Sequence, residues 1–397
     1  MKWIPVIVGT LALLTAACTE HFTTPGSCPT LCPGGQAQFR DTVLTPIQGA
    51  DSSFTGFVDP ADLVSTLSSS GGVYGEHRAV FRFVAQGDSI TVSDTSRTFT
   101  IDSVGIDIGV QDRDTTSTNF VLEIYRLPLT LDTTATFAQV DAAMTPANEL
   151  IEVPEPQSFR TGIVHVNFAG DSLARVLVAA ADSGVLQIGI RVRADAPTGT
   201  RIGTPASGDF APLLSTYAEA IGVVDSLKPQ LSTRIAQRYF TVTPPAAPIP
   251  SDLLAVGGFP VSRSFLRFSL PPYLRDSATI IRATLVLHAD APVVGIPGDS
   301  ATVDASAVLV DFGAKSPAIT GAFSAFVMYP GDSLVTLEVG PLITLWQGPT
   351  GTPPILRLNL VEEGGSYIFP LFHSTRSSSG PPTLRITYRP PFAFEGY

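Results

Sequence analysis

Apolar and polar residues alternate with period two along most of this chain. Val104, Ile106, Ile108 and Val110 are separated by Gly105, Asp107 and Gly109, and Leu186, Ile188, Ile190 and Val192 by Gln187, Gly189 and Arg191. Further on, Ile281, Ala283, Leu285 and Leu287 alternate with Arg282, Thr284, Val286 and His288, and the same rhythm returns at Leu356–Leu360 and Leu384–Tyr388. Such alternation predicts antiparallel strands with one face in a core and one in water. Short strands divided by Gly, Pro, Asp and Ser clusters predict an all-β fold of sandwich type, jelly-roll-like. Helical patterning is sparse. Asp59-Pro60 supplies an N-cap and a first-turn proline for a short helix to about Ser68, and residues 134–144 and 171–182 are the other candidates.

The strand patterns recur in order. Phe81-Arg82-Phe83 corresponds to Leu266-Arg267-Phe268, and Asp102-Ser103-Val104 leads into a strand as Asp276-Ser277-Ala278 does. Val164-His165-Val166 corresponds to Val335-Thr336-Leu337, the strand at Leu186 to the one at Leu356, and Phe210–Leu213 to Phe369–Phe372. The series closes with Tyr239–Pro244 against Arg385–Pro390. The spacing between partners falls steadily, so the two copies are colinear, with longer loops in the first. Two tandem modules are expected, at 51–245 and 252–397, joined by a stiff Pro-rich linker at 246–251.

The N-terminus carries an address. Met1-Lys2-Trp3 is a short basic start, and Ile4–Leu14 is apolar but too short to span a bilayer. It ends in Leu14-Thr15-Ala16-Ala17-Cys18, which resembles a bacterial lipobox, with Thr15 where Leu is usual. The resemblance implies a signal peptide at 1–17, lipidation of Cys18, and a mature protein attached to the membrane through its N-terminal lipid. The alternative is an ordinary secretory signal. No Asp follows Cys18, which points to the outer membrane, on its periplasmic or its surface face. Residues 18–50 read as a tether, with Cys28 and Cys32 forming a disulfide in an oxidising envelope. A metal site is the sharper reading of that pair, but no second Cys or His pair completes four ligands.

The second copy carries a further resemblance. Ser264–Leu270, the strand Ala278–Leu287, the turn Leu345-Trp346-Gln347-Gly348 and the closing Pro382–Tyr388 resemble the DNRLRE-type β-sandwich domain of bacterial surface proteins, a relative of some carbohydrate-binding modules. It covers about 252–391 and extends weakly to 75–245. The resemblance implies a sandwich fold and glycan or envelope-protein partners; its motifs are core and register positions, so it implies no catalytic residue.

Composition narrows the function classes. Of 397 residues only 15% are charged, while 44% are hydrophobic, enough for large cores. A net charge of −11, with Lys2, Lys228 and Lys315 the only lysines, disfavours nucleic acid. Gly-Asp-Ser-Leu occurs at 170–173 and 331–334, but no histidine among His21, His77, His165, His288 and His373 has an aspartate three residues before it, so an esterase is not expected. Asp112 and Asp114 could hold calcium in a loop, and Glu362-Glu363 before Gly364-Gly365 reads as a hairpin turn. No cofactor or metal is expected. For a sugar or protein ligand the candidate binding residues are Trp346, Tyr367, His373 and Arg376. The sequence thus points to a non-catalytic, lipid-anchored surface display, adhesion or scaffold protein, with polysaccharide capture as the alternative.

Overall fold

The computed structural model describes residues 39–57, 64–84, 89–92, 94–169, 176, 185–222, 230–245, 247–347 and 351–391. In the first half lie β1 (Arg40–Leu44), β2 (Ser52–Thr55), β3 (Ser65–Ser70), β4 (Arg78–Phe83), β5 (Ile90–Val92), β6 (Thr95–Arg97), β7 (Phe99–Arg113) and β8 (Val121–Arg126). After α1 (Phe137–Ala143) follow β9 (Glu149–Pro154), β10 (Gly162–Phe168), β11 (Leu186–Arg193), β12 (Thr198–Gly203), β13 (Leu213–Ala220) and β14 (Gln230–Val242). The remainder comprises β15 (Leu253–Ala255), β16 (Ser262–Arg267), α2 (Pro272–Asp276), β17 (Thr279–His288), β18 (Ala301–Val308), β19 (Ala318–Met328) and β20 (Leu334–Glu338). It closes with α3 (Gly340–Gln347), β21 (Ile355–Leu360), β22 (Leu371–His373) and β23 (Thr383–Arg389).

The fold is all-β and antiparallel, as the alternation predicts. In the C-terminal sandwich the sheet β1-β23-β17-β20 faces the sheet β19-β18-β21-β16-β2. Leu285 and Leu384 from the first sheet meet Leu266, Val303 and Leu358 from the second in one dry core. In the N-terminal sandwich β10, β7 and β13 form one layer, and β4, β11, β8 and β9 the other. Ile106, Ile108 and Val166 pack there against Phe81, Phe83, Ile124 and Ile188. The two sandwiches share one strand order, with β4-β11-β8-β9 matching β16-β21-β18-β19 and β10-β7-β13 matching β20-β17-β23.

Three expectations are corrected by the pairing. First, the strand occupying the place of β23 is β13, not the Tyr239–Pro244 strand β14. β14 pairs with β13 through its first half and with β4 through its second, across a bulge between Ala236 and Arg238, and so closes both sheets. Second, the tether does not extend to residue 50, nor does the first module begin at 51. Arg40–Leu44 pairs with β23 and Ser52–Thr55 with β16, so both strands belong to the C-terminal sandwich, where they take the places that β14 fills in the N-terminal one. The N-terminal sandwich is therefore inserted between β2 and β15. Third, the helix expected to reach Ser68 is instead strand β3 from Ser65, because its backbone pairs with β12 from Ser65 to Ser70. The 134–144 expectation matches α1, whose Thr136 and Gln139 form a capping box. Most of 171–182, together with Cys18, Cys28, Cys32 and the tail 392–397, lies outside the described residues. No helix among the described residues is long and apolar enough to cross a membrane.

Candidate functional site at the joint between the sandwiches

Strand β3 is where the sandwiches meet. Its sequence, Ser-Thr-Leu-Ser-Ser-Ser, is polar yet buried from Ser65 to Ser69. Buried hydroxyls demand partners, and carbonyls supply them: Ser65 Oγ donates to Gly365 O at 2.6 Å, Thr66 Oγ1 to Ile202 O at 3.3 Å and Ser68 Oγ to Ile190 O at 3.1 Å. The first of these crosses the joint. Around it, Tyr367 OH donates to Ser68 O at 2.8 Å with Thr200 O at 3.2 Å, and Arg201 Nη1 donates to Asp299 Oδ1 at 2.6 Å. Arg160 bonds Asp112 in its own sandwich at 2.8 Å and Pro297 O in the other at 3.0 Å. Leu67, Tyr74, Ile296 and Tyr367 make a small apolar cluster between the two bodies.

Beside that cluster opens a groove of about 620 Å³. Its walls are Val73 and Tyr74 from one sandwich, Phe259 and Phe369 from the other, and the Pro-rich segment from Pro244 to Pro250. His77 lines it as well, although the residue is only 7% exposed. The imidazole stands edge-on to Phe259 and Tyr367, at 6.0 and 5.6 Å between ring centres. Its Nδ1 lies 2.8 Å from Ser69 Oγ, which is also 3.1 Å from Gly75 O. A hydroxyl has one proton; with that proton on a carbonyl, Ser69 accepts from Nδ1–H. Nε2 has no partner among the described residues. Burial, helped by the neighbouring Arg78 charge and opposed by the Tyr74 carbonyl, pushes the His77 pKa down to about 4, so the ring is neutral at pH 7. Burial and the Asp114 carboxylate, which accepts from Tyr74 OH at 2.8 Å, push the Tyr74 phenol well above its ordinary value.

The four residues singled out from the sequence do not converge. Trp346 is 5% exposed on α3, with its ring 5.7 Å from Phe268, and is part of the C-terminal core. Tyr367 is buried in the joint. His373 Nδ1 is 3.1 Å from Ser377 Oγ on a short outer strand. Arg376 clamps the N-terminal segment, donating to Gly49 O at 2.6 Å and Asp51 Oδ1 at 3.1 Å. Only Tyr367 borders the groove. Asp114 is engaged by Tyr74, Thr116 N and Thr116 Oγ1, and Asp112 by Arg160. Among the described residues no three His, Cys, Asp or Glu side chains cluster as metal ligands. Gly331-Asp332-Ser333 is a turn in which Asp332 accepts from Tyr329 N at 2.8 Å. Glu362 and Glu363 lie in a turn that does not close the expected hairpin, since β21 pairs with β16 and β18 and β22 with β15, and they pair with Arg201 and Arg263.

Of the polar residues at the joint the sequence singled out Tyr367 but neither Ser69 nor Tyr74, and His77 only as one of five scattered histidines. A run of Ser and Thr with one leucine carries no alternation to follow. The only available signal was Gly71-Gly72 before Val-Tyr, a turn that presents Tyr74. No family model matches the chain, and no curated protein matches it.

Proposed function

We propose that this chain is a non-catalytic, lipid-anchored protein of the cell envelope, in which two sandwiches act as one display or scaffold body and a partner is received at their joint. The anchor is the acylated Cys18, and the outer membrane is its destination, since no Asp follows it. The likeness of residues 252–391 to DNRLRE-type surface domains agrees with this role.

The observation that carries the reading is the crossed connectivity. The chain builds two strands of the C-terminal sandwich, leaves to build the whole N-terminal one, and returns. Hydrogen bonds from Ser65, Arg160, Arg201 and Tyr367 then tie the bodies together. A body held at two chain crossings and a buried polar joint keeps its surfaces at fixed spacing, which suits display better than turnover. Burial of Trp346 and Tyr367 takes both rings away from the stacking role that polysaccharide capture would give them, so the display reading ranks first.

Protease shaving of intact cells tests it. Cleavage before Phe39 should release both sandwiches together, and Cys18→Ser should abolish membrane partition of the processed protein. Protection of both bodies until lysis would exclude surface display, and unchanged partition of the Cys18→Ser protein would overturn the anchor.

A further inference from the structure

The internal duplication provides a control for every edge strand. In the N-terminal sandwich the sheet β4-β11-β8 ends in β9, which is six residues long, carries Glu149 and Glu152, and stops at Pro154. Charges and a proline on a short strand are the ordinary means of keeping an edge from pairing with another chain. Its counterpart β19 has none of these. Ala-Ile-Thr-Gly-Ala-Phe-Ser-Ala-Phe-Val-Met carries no charge and no proline, and after a bulge at Gly321 (φ +76°) it runs regularly from Phe323 to Met328. Among the described residues β19 pairs only with β18, from Ala301↔Met328 to Ser306↔Phe323 and again at Val308↔Ala318.

The outer face of this edge is also apolar. Phe326 and Met328 turn into the core, whereas Phe323 is 61% and Val327 46% exposed. Val361, which is 59% exposed, continues the Val327 row across Thr302, and Tyr329 follows at 53%. Phe323, Val327 and Tyr329, which lie along the edge itself, hold on the order of 200 Å² of apolar surface in water, and backbone pairing along the strand would add to the area covered, against the ~800 Å² per partner of a stable complex.

We infer that β19 is a self-association edge, and that its occupant is β19 of a second copy, paired antiparallel about a two-fold axis at Ala325. The strand's own pattern chooses the occupant: β19 carries no charge, so two copies of it meet with no like charges opposed despite the net charge of −11. The two-fold register is also self-complementary on the outer face. Phe323 falls opposite Val327 of the other copy, an aromatic against a β-branched residue, and Ala325 falls opposite itself. The five-stranded sheet β19-β18-β21-β16-β2 becomes one continuous ten-stranded sheet across the pair.

The test is cysteine crosslinking of the full chain in intact cells, with Cys28→Ser and Cys32→Ser removing competing thiols. Ala325→Cys should form an intermolecular disulfide on mild oxidation, because residues facing each other across antiparallel strands lie within disulfide reach. Adding Val327→Lys, an exposed substitution that leaves the core intact, should lower the dimer about tenfold or more. Glu152→Cys on β9 should give no dimer. Absence of an Ala325→Cys homodimer would overturn the inference, as would a crosslinked band holding a different protein, or a dimer insensitive to Val327→Lys.

Discussion

His77 and Asp51 show how single buried groups set the behaviour of this molecule. With the folded pKa of His77 near 4 and an ordinary value of 6.5, the unfolded chain takes up a proton first as pH falls. The stabilisation is therefore complete above about pH 6.5, declines below it, and is gone below about pH 4, a total of about 3 kcal/mol. Urea unfolding of His77→Gln at pH 7 and pH 4.5 should show a pH dependence smaller by about 2 kcal/mol than that of the parent; equal slopes would refute the assignment. Asp51 is fully buried and accepts from Thr375 N at 2.7 Å, Thr375 Oγ1 at 2.8 Å and Arg376 at 3.1 Å. Asp51→Ala strands the two buried Thr375 donors and removes one partner of Arg376, and should destabilise by about 3 kcal/mol, with Asp51→Asn less severe because it keeps one acceptor. Neither role could be read from the sequence. Arg376 was legible as a candidate by its polar loop, but its partner lies over three hundred residues away, a relation that only the fold creates.

At the scale of elements, Gly109 on β7 and Gly203 on β12 both face the turn Gly208–Phe210. A Cβ at Gly109 would lie 2.2 Å from Phe210 O, and one at Gly203 2.3 Å from the same atom. The obstacle is backbone and cannot swing aside, so Gly109→Ala should destabilise by about 2 kcal/mol or more. Gly105, on the same strand, meets nothing closer than 3.6 Å, and Gly105→Ala should change stability by less than about 0.5 kcal/mol in the same urea titration. The strands themselves were legible wherever one face is dry: β7, β11, β17, β21 and β23 all follow the period-two rows. β3 was not, because its buried side chains are hydroxyls satisfied by carbonyls of other strands, and no hydropathy pattern records that. β1 and β2 were missed for a related reason. Each is a short edge strand, exposed or half-exposed along its length, and its reason for being extended is the distant strand it pairs with. Four residues of the groove, Val73, Tyr74, Phe259 and Phe369, come from the connections around β3, β15 and β22 rather than from patterned strands, so of the groove's aromatic wall the sequence singled out Tyr367 alone.

For the whole molecule, the crossed connectivity makes the two sandwiches unequal. The N-terminal one closes its sheets with its own strand β14, whereas the C-terminal one borrows β1 and β2 from the far side of the insertion. A chain of residues 253–391 alone would leave the edges of β23 and β16 bare, strip Phe54 from Phe265, 5.7 Å away, and remove Asp51 from Thr375. Bare edges beside an uncovered core invite intermolecular pairing, so this fragment should aggregate. Joining residues 39–57 directly ahead of residue 250 restores both strands. Thr55 and Pro250 line the same groove, and Ala255 N donates to Ser53 Oγ at 3.1 Å, so the two segments join on one side of the C-terminal sandwich. That joined chain should unfold in one cooperative urea transition, though at lower denaturant than the parent, since Tyr367, Ile296 and Asp299 lose the N-terminal sandwich that buries them. Cooperative unfolding of 253–391 without the added strands would show that β1 and β2 decorate the C-terminal sandwich and do not complete it.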